Sequence, residues 1–205
     1  MSPVTILPIF AGLAAGLPTE VDANRRAASS SPDEVRVASI AYAGSGCSAS
    51  TITGPFSSDG KTFGLPHGSL VAQSGPGTSP AYNRRNCQIA LKIRYSSGWQ
   101  FSVTEAEYTG SAQLPGGVSG SSNAIIYFGG ETNQATSTKT IGGPFDGKYV
   151  HVAKFVGANA VWSPCGSESI LNINADAHLD PDNVRDTARF TVDTPPVVDV
   201  QWRRC

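Results

Sequence analysis

The sequence contains few charged residues and no long apolar run. Only 15% of its 205 residues are charged, 15 basic and 16 acidic, whereas an average soluble domain has roughly 25%. Two isolated arginine pairs, Arg84-Arg85 and Arg203-Arg204, are too small for the basic stripe of a nucleic-acid-binding protein. Internal repeats, amphipathic helices and apolar runs of the ~20 residues that span a bilayer are all absent. These absences exclude a coiled coil, a multi-span membrane protein and a nucleic-acid-binding protein.

Turn-forming and apolar residues are abundant by contrast, with 22 Gly, 14 Pro and 40% hydrophobic residues. β-Branched and aromatic residues alternate with polar ones in short runs, as in half-buried strands. Two such runs, Ile89–Ile93 and Trp99–Val103, are separated by Ser96-Ser97-Gly98, a hairpin-like connection. Six further runs cover residues 34–41, 123–128, 148–156, 169–175, 188–192 and 197–202. The pattern predicts an all-β fold, a single-domain β-sandwich or jelly-roll-like barrel of about 9–10 strands.

The N-terminal segment predicts secretion. Val4–Leu17 is uncharged, too short to span a membrane and typical of the apolar core of a signal peptide, although no Lys or Arg precedes it. Small residues permit cleavage after Gly16 or as late as Ala23, and Arg25-Arg26 is a dibasic processing site. The alternative is an uncleaved leader on a cytosolic protein. We therefore predict a signal peptide over 1–16, a leader or pro-segment over 17–32 and a secreted β domain over 33–205.

The four cysteines agree with secretion. An even number in a short secreted chain suggests two disulfides, for which three connectivities exist. No C-x-x-C occurs, so neither a zinc ribbon nor a redox pair is supported. We favour the sequential pairing, Cys47 with Cys87 and Cys165 with Cys205, in which each bond closes a loop of about 40 residues.

No catalytic motif stands out. Residues 117–121 are the nearest match to G-x-S-x-G and lack its last glycine. Glu105 and Glu107 lie two residues apart on one strand face, which is typical of a polar face rather than of a glycosidase pair. The three histidines are isolated in the chain. We therefore predict that the protein is not an enzyme.

The densest polar cluster is Asp176, His178, Asp180 and Asp182. On an extended strand these alternate residues share one face, where carboxylates and an imidazole can hold a divalent cation. The segment lacks the D-x-D-x-D-G order of a calcium loop. The interpretation we favour is a solvated strand face that ends in a turn, and we expect neither a metal nor a cofactor.

Aromatic residues and turns are candidates for binding. The alternation places Trp99 and Trp202 in the core, whereas Trp162 and Tyr82 are candidate platforms for a sugar ring. The loops over 73–82 and 115–122 are candidates for contact with a protein. Their candidate binding residues are Gly75, Pro76, Pro115, Gly116 and Val118.

Seven short segments resemble a secreted, mainly fungal family. They are Gly44-Ser-Gly-Cys47, Arg85-Asn-Cys-Gln88, Gly98-Trp-Gln-Phe101, Gly143-Pro144, Trp162-Ser-Pro-Cys-Gly166, Ile170-Leu-Asn-Ile-Asn174 and Trp202-Arg-Arg-Cys205. The resemblance, to the family known as domain of unknown function 4360, spans roughly residues 36–205 and includes all four cysteines. It implies secretion and a β-rich fold. Because it carries no established activity, it transfers no catalytic residue to this chain.

Three functional hypotheses follow. The first is a secreted, non-enzymatic interaction protein, such as a fungal effector that fills the active-site cleft of an extracellular host protease with a rigid loop. The alternative is a cell-wall or carbohydrate-binding module. The third is a hydrolase with a site around His178 and Asp180. We expect a secreted monomer whose partner is an extracellular protein and that binds neither nucleic acid nor a membrane.

Overall fold

The computed structural model describes residues 31–47, 56–65, 68–180, 186–193 and 197–205, and the predicted signal peptide and most of the leader lie outside them. Within these residues the chain forms ten strands and two short 3₁₀ helices, Pro80–Tyr82 and Gly157–Asn159. The strands are β1 (Val35–Ala43), β2 (Thr62–Gly64), β3 (Ser69–Ser74), β4 (Arg84–Leu114), β5 (Ser119–Phe128), β6 (Gln134–Gly142), β7 (Phe145–Lys154), β8 (Gly166–Leu179), β9 (Ala188–Asp193) and β10 (Val197–Arg204). The prediction of an all-β fold with about ten strands is confirmed. No helix in the described ranges is long and apolar enough to cross a membrane.

The 31 residues of β4 join two layers of the molecule. Its first part, up to Tyr95, pairs with β1 on one side and β8 on the other. Its later part, from Trp99, pairs with β10, β7 and β9. All ten strands are thereby connected in one antiparallel sheet that folds over itself along β4.

The predicted hairpin at Ser96-Ser97-Gly98 is wrong, because these residues lie inside β4. The pairing register shifts between Arg94 and Trp99, and Gly98 adopts a φ of 80° that suits a residue without a Cβ. A hairpin requires the two flanking runs to pair with each other. Each run pairs instead with other strands, so the chain bends here without reversing.

The two layers enclose the core. One layer contains β1, the first part of β4, β8, β5 and β6, and the other contains β2, β10, the later part of β4, β7, β9 and β3. A Cβ added at Gly120 of β5 would collide with the ring of Phe190 in β9. Glycine at this position therefore permits the close approach of the two layers.

Phe101 lies at the centre of the core and is fully buried. Its ring centroid is 5.7 Å from that of Tyr95, 5.1 Å from Phe128 and 4.9 Å from Trp202. Trp202 and Trp99 are also buried, as the alternation predicted. The cluster joins side chains from β4, β5 and β10, so it holds the two layers together.

Two disulfides fasten the ends of strands. The favoured sequential pairing is confirmed, because Cys47 is bonded to Cys87 and Cys165 to Cys205. The first bond ties the segment after β1 to β4. The second ties the residue before β8 to the end of the chain, where the Cys205 N–H also donates to the Gly98 carbonyl at 3.1 Å.

Candidate functional site

The outer face of the first layer is lined mainly by amide, hydroxyl and carboxylate groups, with Ile125 and Ile170 among them. It arises from alternation in β8, where apolar residues such as Leu171 and Ile173 point inward and the polar residues between them point outward. The register of β4, β8, β5 and β6 aligns further polar residues beside them. We name this surface the amide face and define it by Asn86, Gln88, Asn123, Tyr127, Thr138, Asn172, Asn174 and Asp176.

A hydrogen-bond network centred on Asp176 crosses the amide face. Asp176 is only 4% exposed. Its Oδ2 accepts from Arg84 Nη2 at 2.8 Å, and its Oδ1 accepts from Asn123 Nδ2 at 2.7 Å. Thr138 Oγ1 donates to Asn123 Oδ1 at 2.7 Å. The network spans four strands and fixes the orientation of each of these side chains.

A second network orders the neighbouring part of the face. Gln88 Nε2 donates to the Tyr127 hydroxyl at 2.8 Å and to Asn172 Oδ1 at 3.2 Å. Asn174 lies between the two networks and is half-buried. The face therefore combines fixed amides with one fixed phenol.

Ion pairs occupy the charged end of the same layer. Glu168 lies 2.7 Å from both Lys92 and Arg94. Hydrogen bonds from Lys92, and to a smaller extent from Arg94, hold the pKa of the Glu168 carboxyl below its usual value. This carboxylate therefore stays ionised. Lys92 and Arg94 thus share one carboxylate, whereas Arg84 is paired with Asp176.

A groove of about 340 Å³ lies where the segment after β1, strand β3 and the start of β4 come together. We name it the Tyr82 groove; it is lined by Ser45, Gly46, Ser69, Val71, Gln73, Tyr82 and Arg85. Tyr82 is 44% exposed at the end of a 3₁₀ helix that begins with Pro80. The Arg85 guanidinium lies 4.2 Å from the centroid of the Tyr82 ring. The groove therefore presents an aromatic ring and a cation together.

Comparison with known proteins places this fold in a family. The sequence matches Domain of unknown function (DUF4360) over residues 33–205. The chain belongs to this family. The DUF4360 chain is also 38% identical, over 179 residues, to a protein of Arthroderma benhamiae described as an uncharacterized secreted protein; the match covers 85% of this chain and 73% of that relative. The resemblance predicted from the seven segments is confirmed.

Asp176 and His178, members of the predicted polar cluster, lie on one face of β8 in the DUF4360 chain. Both carboxylate oxygens of Asp176 are engaged by Arg84 and Asn123. Asp180 lies past the end of β8, and Asp182 is outside the described residues. In the described part of the chain, no group of three or more His, Cys, Asp or Glu residues is arranged to hold a metal ion.

The candidate loop residues lie in two tight turns. The Thr78 N–H donates to the Gly75 carbonyl at 3.0 Å, and Pro76 between them is exposed. The Val118 N–H donates to the Pro115 carbonyl at 3.2 Å, with Gly116 exposed inside the turn. Val118 is buried, so its side chain is not available for contact with a partner.

Trp162 is half-buried, and a charged side chain lies against it. The Arg203 guanidinium is 3.7 Å from the centroid of the Trp162 ring. This stack covers one face of the indole ring. Arg85 stacks on the Tyr82 ring in the same way, but Tyr82 is 44% exposed and is the more accessible of the two aromatic platforms predicted from the sequence.

His151 of the DUF4360 chain was not singled out by its sequence, yet it bridges two strands. It is 4% exposed, with Nδ1 3.1 Å from Ser122 Oγ and Nε2 2.9 Å from Ser137 Oγ. The two serines lie 29 and 14 residues away, so no local motif marks the site. Burial, and then the charge of Lys139, lower the pKa of His151 below its ordinary value of 6.5.

This lowered pKa predicts acid sensitivity. The unfolded chain takes up a proton at His151 near pH 6.5, whereas the folded chain resists protonation. The contribution of neutral His151 to the free energy of unfolding is therefore fully present above about pH 6.5. It is lost as the pH falls toward the pKa of His151 in the folded state. We expect the free energy of unfolding, measured in urea from pH 7 to pH 5.5, to fall less steeply in His151→Gln than in the wild type. A His178→Gln control that flattens the profile equally would contradict the assignment.

Proposed function

We propose that this DUF4360 protein is a secreted, non-enzymatic binding protein whose amide face recognises an extended, neutral polysaccharide. The observation that carries the proposal is the network in which buried Asp176 holds Arg84 and Asn123 in place. Side chains that are already ordered lose little conformational entropy when they bind a ligand. Amide and hydroxyl groups fixed in this way both donate and accept hydrogen bonds, as binding to sugar hydroxyls requires.

The dimensions and charge of the face favour a neutral, extended ligand. Adjacent strands lie about 4.8 Å apart, so the four neighbouring strands β4, β8, β5 and β6 form a platform roughly 14 Å wide. Asp176 compensates the charge of Arg84, and Glu168 is shared by Lys92 and Arg94, so these three cations leave one uncompensated charge. A ligand that lies across this surface therefore contacts mainly uncharged polar side chains.

An extracellular location supports this choice of partner. The relative from Arthroderma benhamiae is described as secreted, and the apolar N-terminal run of this chain is typical of a signal peptide. Polysaccharides of cell walls are polymers that a secreted protein encounters directly.

The Asn174→Ala variant tests the proposal with little effect on the fold, because Asn174 takes part in neither network of the amide face. We expect the wild-type protein to be retarded in gels that contain laminarin, hydroxyethylcellulose or galactomannan. Asn174→Ala loses one hydrogen bond to the ligand. Its affinity for the polymer that retards the wild type should therefore be about threefold to tenfold weaker.

Gln201→Ala is the matched control, because Gln201 is an exposed amide on β10 in the other layer. Its migration should equal that of the wild type. Unretarded wild-type protein in all three gels, or an equal loss in the two variants, would contradict binding by the amide face.

Inhibition of an extracellular host protease stays a prediction from the sequence. Its two candidate loops contain tight turns closed by backbone hydrogen bonds at Thr78 and Val118. Such turns give less support than the amide face, since a cleft-filling inhibitor presents an extended, exposed segment. Exchange of both turns for unrelated turn sequences is the test, and inhibition that survives it would exclude these loops.

A further inference from the structure

We propose that the Tyr82 groove binds the carboxylate-bearing sugar of an acidic polysaccharide, a uronate residue. This inference rests on the proposed glycan binding and adds a second, charged subsite to it. It assigns the neutral part of a glycan to the amide face and an acidic sugar to the groove.

The two neighbouring arginines at the start of β4 differ in their pairing. Arg84 is bound to the buried Asp176, and its charge is compensated. Within the described residues, Arg85 has no carboxylate partner; its Nη1 donates to the Ser45 carbonyl at 3.3 Å. A guanidinium has five N–H donors in a planar fork, so donors are left for a bidentate bond to a carboxylate.

The remaining lining of the groove suits a sugar. Its volume of about 340 Å³ falls in the range of small-molecule sites. The exposed Tyr82 ring offers an apolar surface for the C–H groups of a pyranose, and Ser69 and Gln73 offer hydroxyl and amide groups. A cation, an aromatic ring and neutral polar groups thus lie within one concavity.

Both walls of the groove are held in place before any ligand arrives. The Cys47–Cys87 disulfide and the bond from the Gly46 N–H to the Asn86 carbonyl, 2.9 Å, hold one wall. The bond from the Tyr82 N–H to the Ser79 carbonyl, 2.9 Å, holds the other. Little ordering is therefore required on binding.

Ser45 connects the groove to the amide face. Its Oγ donates to Asn86 Oδ1 at 3.3 Å and accepts from the Asn86 N–H at the same distance. Asn86 belongs to the amide face, so these bonds tie one wall of the groove to that face. Arg85 and Asn86 are neighbours in β4, so their side chains point to opposite faces of the sheet, and the groove is a separate subsite.

Polygalacturonate and its fully methyl-esterified form are the probes, because they differ only in the free carboxylate. We expect the full chain to bind polygalacturonate and Arg85→Gln to bind it about tenfold to a hundredfold more weakly, as for the loss of a charge-assisted pair. Tyr82→Ala should weaken the same binding, whereas Tyr82→Phe should retain it. Arg203→Gln is the matched control, since it removes an equal charge from an equal aromatic stack on Trp162.

Four results would overturn the inference, and a fifth would overturn the neutral-glycan proposal alone. One is equal affinity for the esterified and the free polymer, and another is an equal loss in Arg203→Gln. The third is competition by polyglutamate as strong as that by polygalacturonate, which would identify an acidic-peptide site. If neutral polymers retain the protein but polygalacturonate does not bind it, the uronate site in the Tyr82 groove is refuted and the amide-face proposal stands. Arg85-dependent binding to polygalacturonate without retention by any neutral polymer would refute the neutral-glycan proposal alone.

Discussion

Replacing Phe101 by alanine is expected to lower the free energy of unfolding by about 3–5 kcal/mol. Phe101 is fully buried and contacts rings from both layers of the sheet. Truncation therefore leaves a cavity whose walls belong to strands that are fixed by their own pairings. Since typical domains are stable by about 5–15 kcal/mol, this single change removes a large share of the stability.

Urea denaturation followed by near-ultraviolet circular dichroism measures this loss. Val150→Ala is a suitable control because Val150 is exposed on β7, and its effect should stay within about 0.5 kcal/mol. A loss below about 1.5 kcal/mol for Phe101→Ala would mean that the layers close around the cavity, contrary to this account of the core.

Removal of the Cys165–Cys205 disulfide, by changing both cysteines to serine, is expected to cost about 4 kcal/mol. The bonded residues are 40 positions apart, and a loop of that length confines the unfolded chain substantially. In the folded state the bond also holds the end of β10 beside the start of β8. Urea denaturation without reductant compares the double variant with the wild type.

The Cys47–Cys87 bond provides an internal comparison, because its residues are also 40 positions apart. The chain-entropy model therefore gives the two double variants equal losses. A loss under about 1 kcal/mol for either one would show that confinement of the unfolded chain is not the main contribution of that bond.

Period-2 alternation revealed the strands whose inner faces are apolar, such as residues 169–175 within β8. It missed the short strands β2 and β3, and also β6, in which only Ala135 and Ile141 interrupt a run of polar residues. Among the described strands β6 pairs only with β5, so few apolar residues are needed to place it. The bend in β4 was misread because Ser96-Ser97-Gly98 is suitable for a turn, and distant strands decide how the flanking runs pair.

The candidate site was only partly visible in the sequence. Spacing predicted that Asp176 and His178 share a face, since strand geometry requires it. The partners of Asp176 could not be predicted, because Arg84 and Asn123 lie 92 and 53 positions away and meet it through sheet register. Tyr82 was recognised as a candidate platform, but its stack with Arg85 depends on the local path of the 3₁₀ helix.

Because β4 belongs to both layers, this chain tolerates little change of length within that strand. A residue lost between Cys87 and Arg94 would shift its neighbours to opposite faces, turning Leu91 toward solvent and Lys92 toward the core. The error would affect the pairings with β1 and β8 at once. Insertions and deletions are therefore tolerated in the connections between strands. The 31-residue length of β4 is constrained by its pairings in both layers.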